Sequence, residues 1–311
     1  MSPLGDRLAS VRIVTDSSAH FLDPRVIERY GIEVVPHEIR FGSQRFREGV
    51  DIDAEAFFHR VNRGGPQPTV HAPSIAEFAA VYNRACLHTD NIVSIHRSRH
   101  LGATTDHALA AAQNLLGRCT IEVIDSLTTS AGLAMIVEEA ARVAAEGASL
   151  DEVIRTVRGV IPRIYTVFYV DTLEYVQSNR LLGQAQAILG TMLGIKPFLT
   201  IEEGELVPME KVRSRAQAIE RLAEFVTEFS SIERLVILLN APYTTEEARL
   251  LQDRLALDFP GRDFPMMMYG PSLAAHIGPD GMGVVVFEGE EDAGPALNSA
   301  TGRPGEDDDS F

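Results

Sequence analysis

At 311 residues the chain is long for one domain and comfortable for two. Hydrophobic residues make up 45% and charged residues 23%, a globular composition that can bury a full core without metals or crosslinks. The formal net charge of −16 argues against a broad basic face, so we expect no nucleic-acid partner. Met1–Ser10 lacks a signal-peptide pattern and no apolar run approaches the roughly 18 residues of a membrane span. We therefore expect a cytoplasmic protein without stable membrane insertion.

The first half of the chain alternates short apolar runs with helical patterns. The predicted strands are Val11–Thr15, Ile32–Pro36, Asn91–Ile95 and Thr120–Ile124, with a hairpin at Ile39–Glu48 around Gly42 and Ser43. The predicted helices are Ser74–Leu87, Thr104–Leu116 and Thr128–Glu146. Strands alternating with helices of this length predict a mostly parallel sheet with helices on both faces, a three-layer α/β/α domain.

The pattern changes in the second half. The predicted helices are Leu150–Val160, Ser214–Phe229 and Thr244–Leu257. The predicted strands are Tyr165–Val170, Ile195–Ile201, Glu205–Pro208, Leu235–Leu239, Phe264–Tyr269 and Val284–Phe287, the second and third forming a hairpin. This half therefore predicts an α/β domain with a mixed sheet. We place an N-terminal domain at 1–163, a C-terminal domain at 164–290 and a disordered acidic tail at 291–311.

The two cysteines, Cys86 and Cys119, stand in apolar surroundings and outside any metal-ligand spacing. In a chain of this size that pattern favours two buried, reduced thiols over a disulfide.

Polar clusters follow three of the predicted parallel strands: Asp16-Ser17-Ser18, Ser94–Thr105 and Asp125-Ser126. Ligands of such sheets bind outside the carboxyl ends of the strands, so these clusters predict a site, although Asp and Ser there would also cap the following helices. A second cluster joins glycine- and proline-rich turns at Tyr269–Ser272 and His276–Gly283, with His276 at the end of a short helix.

The densest polar cluster is His96-Arg97-Ser98-Arg99-His100, with His107 beyond it. His96 and His100 have the spacing of two metal ligands on one helix face, and a transferase with a metal there is one hypothesis. A loop that offers N–H and O–H donors to an anion, or a plain polar surface, is an alternative interpretation. The chain contains no phosphate-loop, nucleophile-elbow or His-Glu-x-x-His motif, so we expect a binding protein that is not an enzyme by itself.

Taken in order, these segments resemble the DegV family of bacterial proteins, over about residues 11–288. The stretches that carry the resemblance are Ile13–Ser18, Ile124–Ser126 with Ser130-Ala131-Gly132, Asp171–Tyr175 with Arg180, Ile195-Lys196-Pro197, Lys211–Arg215, and Gly270-Pro271 through His276 to Gly283. The resemblance implies two α/β domains that hold a long-chain fatty acid in the cleft between them. It also implies that a separate kinase partner phosphorylates the carboxylate and that His276 and Arg180 lie at the carboxylate. We expect no cofactor and no metal.

The chain departs from the family pattern at two hydroxyl donors. The family's Thr falls on Val70, and the serine of its Leu-Ser-Gly-Thr falls on Gly102. Replacement donors are His71, His100, Arg99 or Ser98. The residues that we expect at the ligand are His276, Arg180, Ser17, His71, Ser98, Gly102, Ala103, Thr104 and Ser126.

The missing hydroxyl donors leave open a second function, the binding or sensing of a different amphipathic or anionic ligand.

The segment Lys211-Val212-Arg213 is a candidate surface for the kinase partner, because it is basic on an acidic protein. The alternative interpretation is a solvated strand end.

Overall fold

The computed structural model describes residues 11–179, 181, 196–262 and 264–290. Within these ranges the strands are β1 Val11–Asp16, β2 Glu33–Val35, β3 Glu38–Phe41, β4 Gln44–Arg47, β5 Pro68–His71, β6 Asn91–His96, β7 Thr120–Asp125, β8 Ile164–Tyr169, β9 Lys196–Glu202, β10 Glu205–Val212, β11 Ile232–Leu239, β12 Met266–Met268 and β13 Met282–Glu288. The helices are α1 Arg25–Tyr30, α2 Ala54–Asn62, α3 Ile75–Ala85, α4 Thr104–Gln113, α5 Ser130–Ala145, α6 Leu150–Val160, α7 Glu174–Ser178, α8 Arg215–Thr227, α9 Glu246–Asp258 and α10 Pro271–Ile277. The predicted tail, 291–311, lies outside the described residues.

A four-stranded parallel sheet in the order β2-β1-β6-β7 organises the N-terminal part. On one face Val14, Val35 and Ile92 pack with α3 and α4. On the other face Ile13 and Val93 pack with α5 and α6. The predicted three-layer arrangement is confirmed. Its helices begin where the sequence provides caps, as at Ser74 and Ser149, each of which forms a capping box with the glutamate three residues on.

A six-stranded mixed sheet in the order β10-β9-β8-β13-β11-β12 organises the C-terminal part, as predicted. Neighbours pair antiparallel except β11 and β12, which are parallel. The β9–β10 hairpin turns at Glu203 and Gly204, where φ is +48° and +87°; glycine adopts that conformation without steric cost. Helices α8 and α9 cover one face of this sheet and form its core with β11 and β13.

A third sheet, in the order β4-β3-β5, is antiparallel. The β3–β4 hairpin was predicted. Strand β5 and helices α1, α2 and α7 were not predicted; β5 has four residues and begins with a proline, which is rare inside a sheet.

The prediction of two reduced thiols is wrong in this structure. Cys86 and Cys119 form a disulfide, with their Cα atoms 6.0 Å apart. Cys86 caps the end of α3 and Cys119 directly precedes β7, so the sheet order brings together two residues that are 33 apart in sequence. No helix within the described ranges combines the length and the apolar character that crossing a bilayer requires.

Candidate functional site

The carboxyl ends of β1 and β6 lie side by side, and polar residues directly at these ends are buried. Asp16, Ser17, Ser18, His96 and Arg97 are each at most 8% exposed. The parallel register explains this position, because Val14 pairs with Ser94 and both strands end two residues later. As predicted, the polar clusters that follow the strands meet at one edge of the sheet.

Asp16 is the centre of these contacts. Its carboxylate accepts hydrogen bonds from the backbone N–H and Oγ of Ser18, from His96 Nδ1 at 3.0 Å and from the backbone N–H of Arg97 at 3.1 Å. Burial by itself would raise the pKa of Asp16, but His37, His96 and Ser18 outweigh it and hold that pKa well below its ordinary value. Asp16 is therefore a buried anion that fixes the start of the turn after β6.

Behind Asp16 lies an arrangement that resembles a catalytic triad. His96 Nδ1 faces Asp16, and His96 Nε2 lies 2.7 Å from Ser94 Oγ. Ser94 Oγ is also 2.8 Å from the hydroxyl of Tyr82, and Ser94, His96 and Tyr82 are all 0% exposed. A nucleophilic serine must reach its substrate, whereas Ser94 is enclosed beneath α3. These residues position Asp16.

On the other side of Asp16, His37 connects two of the predicted site residues. Its Nδ1 lies 3.1 Å from Ser17 Oγ and its Nε2 lies 2.9 Å from Thr104 Oγ1. Burial, together with the nearby charge of Arg97, lowers the pKa of His37 to about 3. His37 is thus a neutral imidazole that links β1 to the start of α4.

Glu48, directly after β4, joins the two parts of the chain. It accepts hydrogen bonds from Ser17 Oγ at 2.6 Å, from the Ser272 backbone N–H at 2.8 Å and from Ser272 Oγ. Ser272 belongs to α10. Glu48 is 2% exposed, and burial raises its pKa to about 7 although these hydrogen bonds oppose the shift. It therefore titrates near neutral pH.

Arg97 and His276 form the second link between the N-terminal sheet and α10. Arg97 Nη1 lies 3.2 Å from His276 Nε2, and Arg97 Nη2 donates to the Leu101 carbonyl at 2.9 Å. The two side chains are 1% and 4% exposed. Burial, with the neighbouring guanidinium, lowers the pKa of His276 well below its ordinary value, so the imidazole is neutral.

The tautomer of His276 follows from this contact. A guanidinium only donates hydrogen bonds, so His276 Nε2 must accept, and the proton of the neutral ring is on Nδ1. Neither His276 Nδ1 nor Arg97 Nε has a hydrogen-bond partner among the described residues. The site therefore presents two buried N–H donors, one of them on a cation.

An apolar pocket of about 360 Å³ adjoins this polar network. Ser17 and Glu48 lie in its wall, and Pro271 of α10 closes one side. Its remaining lining is mainly apolar and includes Ala19, Phe21, Ile27, Val34 and Val50.

The structure brings together only part of the predicted residue set. Ser17, Thr104 and His276 belong to the network, and Gly102 lies against the guanidinium of Arg97. Arg180 lies outside the described residues.

The other predicted residues have separate contacts. Ser98 Oγ donates to the Gly204 carbonyl, Ser126 Oγ donates to the Thr128 carbonyl, and His71 Nε2 lies 3.1 Å from Thr69 Oγ1. Ala103 is exposed and makes no side-chain cap at the start of α4. Of the proposed replacement donors, Arg99 pairs with Asp125 and His100 with Glu205.

The metal hypothesis required His96 and His100 on one helix face. In the structure His96 ends β6, His100 lies in a 3₁₀ turn at Arg99–Leu101, and His107 Nδ1 donates to the Pro73 carbonyl. The three imidazoles therefore have unrelated partners. Across the described ranges no group of three or more His, Cys, Asp or Glu side chains is placed to hold a metal ion.

Sequence reasoning missed the residues that complete the network: Asp16, His37, Glu48, Arg97 and Ser272. Three of them carried a signal, since Asp16 and Arg97 lie in clusters that were recognised at strand ends and Ser272 lies in the turn cluster Tyr269–Ser272. His37 and Glu48 lie in short segments, and nothing local shows that they face the site.

Comparison with known proteins places this fold. The family model described as "Uncharacterised protein, DegV family" matches residues 10–289. A DegV domain-containing protein of Streptomyces coelicolor is 34% identical over 278 residues, covering 89% of this chain and 98% of that protein.

Two solved structures are similar throughout. A DegV family protein from Thermus thermophilus, described as binding fatty acid, has 30% identity and a TM-score of 0.78, covering 90% of this chain and 99% of its own. DegV of Bacillus subtilis, described as a fatty acid binding protein, has 26% identity and a TM-score of 0.79, covering 90% of this chain and 100% of its own. Two α/β parts, a parallel sheet followed by a mixed sheet, and a family match over nearly the whole described chain lead to one conclusion: this protein is a member of the DegV family.

Proposed function

We propose that the chain binds a long-chain fatty acid in the cleft between its N- and C-terminal domains, with the boundary near residue 163. The carboxylate lies at Arg97 and His276, and the chain presents it to a separate kinase partner. One observation carries the proposal: Arg97 Nε and His276 Nδ1 are buried N–H donors without an acceptor among the described residues.

Electrostatics support an anionic ligand. Asp16 and Glu48 influence Arg97 through space, but within the described ranges no carboxylate lies within 4.0 Å of its guanidinium. A buried charge without a directly bonded counter-ion costs several kcal/mol, and a carboxylate is the natural partner of a guanidinium. Ligand binding at this point would satisfy both donors.

The apolar pocket beside Ser17 and Glu48 supports an amphipathic ligand. Each buried methylene contributes roughly 0.8 kcal/mol before ordering costs, so a long acyl chain supplies the larger part of the affinity. The Thermus and Bacillus proteins, described as fatty-acid-binding, support a fatty acid as the ligand.

A second candidate is a different amphipathic anion. It is favoured by Val70 and Gly102, which stand where the family resemblance places hydroxyl donors. The site would then recognise the negative charge and the apolar chain of a ligand whose head group is not a carboxylate.

The carrier role assigns phosphoryl transfer to the partner, which places the chain in the cytoplasm with ATP. Lys211 and Arg213 are exposed at the end of β10 and flank the buried Val212, so they are a candidate contact surface on an acidic protein.

The carrier role can be tested with ATP and hydroxylamine, which converts an acyl phosphate into an acyl hydroxamate. The fatty-acid-loaded protein incubated with ATP alone should yield no hydroxamate. Hydroxamate formed without a second protein would contradict the carrier role.

His276→Ala tests the position of the carboxylate. The variant should bind palmitate roughly 10- to 100-fold more weakly, the range for a lost hydrogen bond to a charged group. Its affinity for methyl palmitate should change by less than about threefold, because the ester carries no charge. Calorimetric titration of both ligands measures the difference, and His88→Ala, an exposed histidine, is the control. Equal losses for acid and ester would show that His276 does not contact the carboxylate.

A further inference from the structure

The guanidinium of Arg97 occupies space that exists only because residue 102 is glycine. Gly102 has φ +148°, and a Cβ there would lie 2.4 Å from Arg97 Nη2 and 3.4 Å from its Cζ. Any side chain at position 102 must therefore displace the guanidinium, whose Nη2 is held by the Leu101 carbonyl one residue earlier.

The rest of Arg97 is held by the backbone of the same turn. Its N–H donates to Asp16, and its carbonyl accepts from Thr105 Oγ1 at 2.9 Å. Arg97 is thus fixed at the strand end through its backbone, and its guanidinium is held by the Leu101 carbonyl and His276, while Nε keeps its N–H without an acceptor among the described residues. A cation built into the fold in this way is a preorganised anion receptor.

We infer that Gly102 and Arg97 together determine the head-group specificity of this chain: the missing side chain at 102 admits a guanidinium, and recognition becomes an ion pair. The inference rests on the proposed fatty-acid site. Its consequence is selection for ionised acids over uncharged molecules with the same alkyl chain, such as the fatty alcohol. A hydroxyl donor at 102 would discriminate less, because a hydroxyl hydrogen-bonds alcohols and acids alike.

The experiment titrates palmitate and hexadecanol into the wild-type protein, Arg97→Met, Arg97→Lys, Gly102→Ala and the double variant Arg97→Met/Gly102→Ala. Wild type should prefer the acid by roughly 10- to 100-fold. Arg97→Met should lose most of the preference for the acid, while its affinity for the alcohol stays within about threefold of wild type. Arg97→Lys should retain part of the preference for the acid.

Coupling between the two positions is the decisive readout. Gly102→Ala should lower acid affinity in the same direction as Arg97→Met, and the double variant should lose no more than the larger single loss, because both changes remove one interaction. Arg84→Met, which removes an exposed arginine paired with Glu33, should bind both ligands as wild type does. Thermal unfolding of each variant confirms that it is folded, and Arg97→Lys against Arg97→Met remains a valid comparison should Gly102→Ala not fold.

These outcomes distinguish a failure of the proposed fatty-acid site from a failure of the specificity inference. If wild type binds neither ligand, the proposed function fails. If wild type binds palmitate but Arg97→Met keeps its preference for the acid, or if the two single losses add fully in the double variant, the specificity inference is overturned and the fatty-acid site stands.

Discussion

Replacing Asp16 by alanine is expected to lower the free energy of unfolding by about 3–5 kcal/mol, the cost of breaking a buried charge network by removing one partner. The change leaves the backbone N–H groups of Ser18 and Arg97 and His96 Nδ1 without their acceptor. It also removes an anion whose field offsets the buried charge of Arg97. Denaturant titration measures the loss.

Asp125→Ala is the matched control, because Asp125 ends β7, another strand of the same parallel sheet, and also caps a turn. It accepts from the Leu127 N–H at 3.0 Å and pairs with the exposed Arg99. Its removal should cost about 1 kcal/mol. Equal losses for Asp16→Ala and Asp125→Ala would contradict the central position of Asp16 in the network.

Replacing Glu48 by glutamine is expected to change how stability depends on pH. Because the pKa of Glu48 is raised in the folded state to about 7 from an ordinary value of 4.5, the folded protein binds this proton more tightly than the unfolded chain. The associated stability is fully present below about pH 4.5 and is lost as the pH rises through about 7. The free energy of unfolding falls by about 3 kcal/mol over this range because of Glu48. Glutamine does not titrate, so the variant does not lose this stability.

The free energy of unfolding of Glu48→Gln relative to wild type should therefore rise by about 3 kcal/mol between pH 4.5 and pH 8. Other groups titrate in both proteins, so their contributions cancel in the difference. Glu33→Gln, the same substitution at a more exposed glutamate on β2, is the matched control. A pH-independent difference for Glu48→Gln would show that Glu48 is not held as a buried, partly protonated acid.

The sequence predicts the helices and strands of this fold well where the pattern lies within a single element. Leu150–Val160 was predicted with the boundaries that the structure has, and in the structure this helix begins at a Ser149–Glu152 capping box. The β9–β10 hairpin was equally visible at Glu202–Gly204. In contrast, β5 is a strand only because β3 lies beside it, and no local pattern shows that.

The site was harder to predict because its contacts connect distant segments. Glu48 contacts Ser272 across 224 positions, and Arg97 contacts His276 across 179. His276 was identified by the turns around it and by resemblance, and Ser17 by its place after β1. Arg97 was passed over in favour of its neighbours Ser98 and Arg99, because a sequence cannot show that the space above Gly102 admits a guanidinium.

Mass spectrometry of the protein purified without denaturation tests the central claim most directly. We predict about one long-chain carboxylic acid per chain, retained by the intact protein and released by organic extraction, and strongly reduced in Arg97→Met. After extraction the wild-type protein should take up added palmitate. A bound molecule without an acidic head group, or a folded, ligand-free protein that takes up no palmitate, would contradict the account.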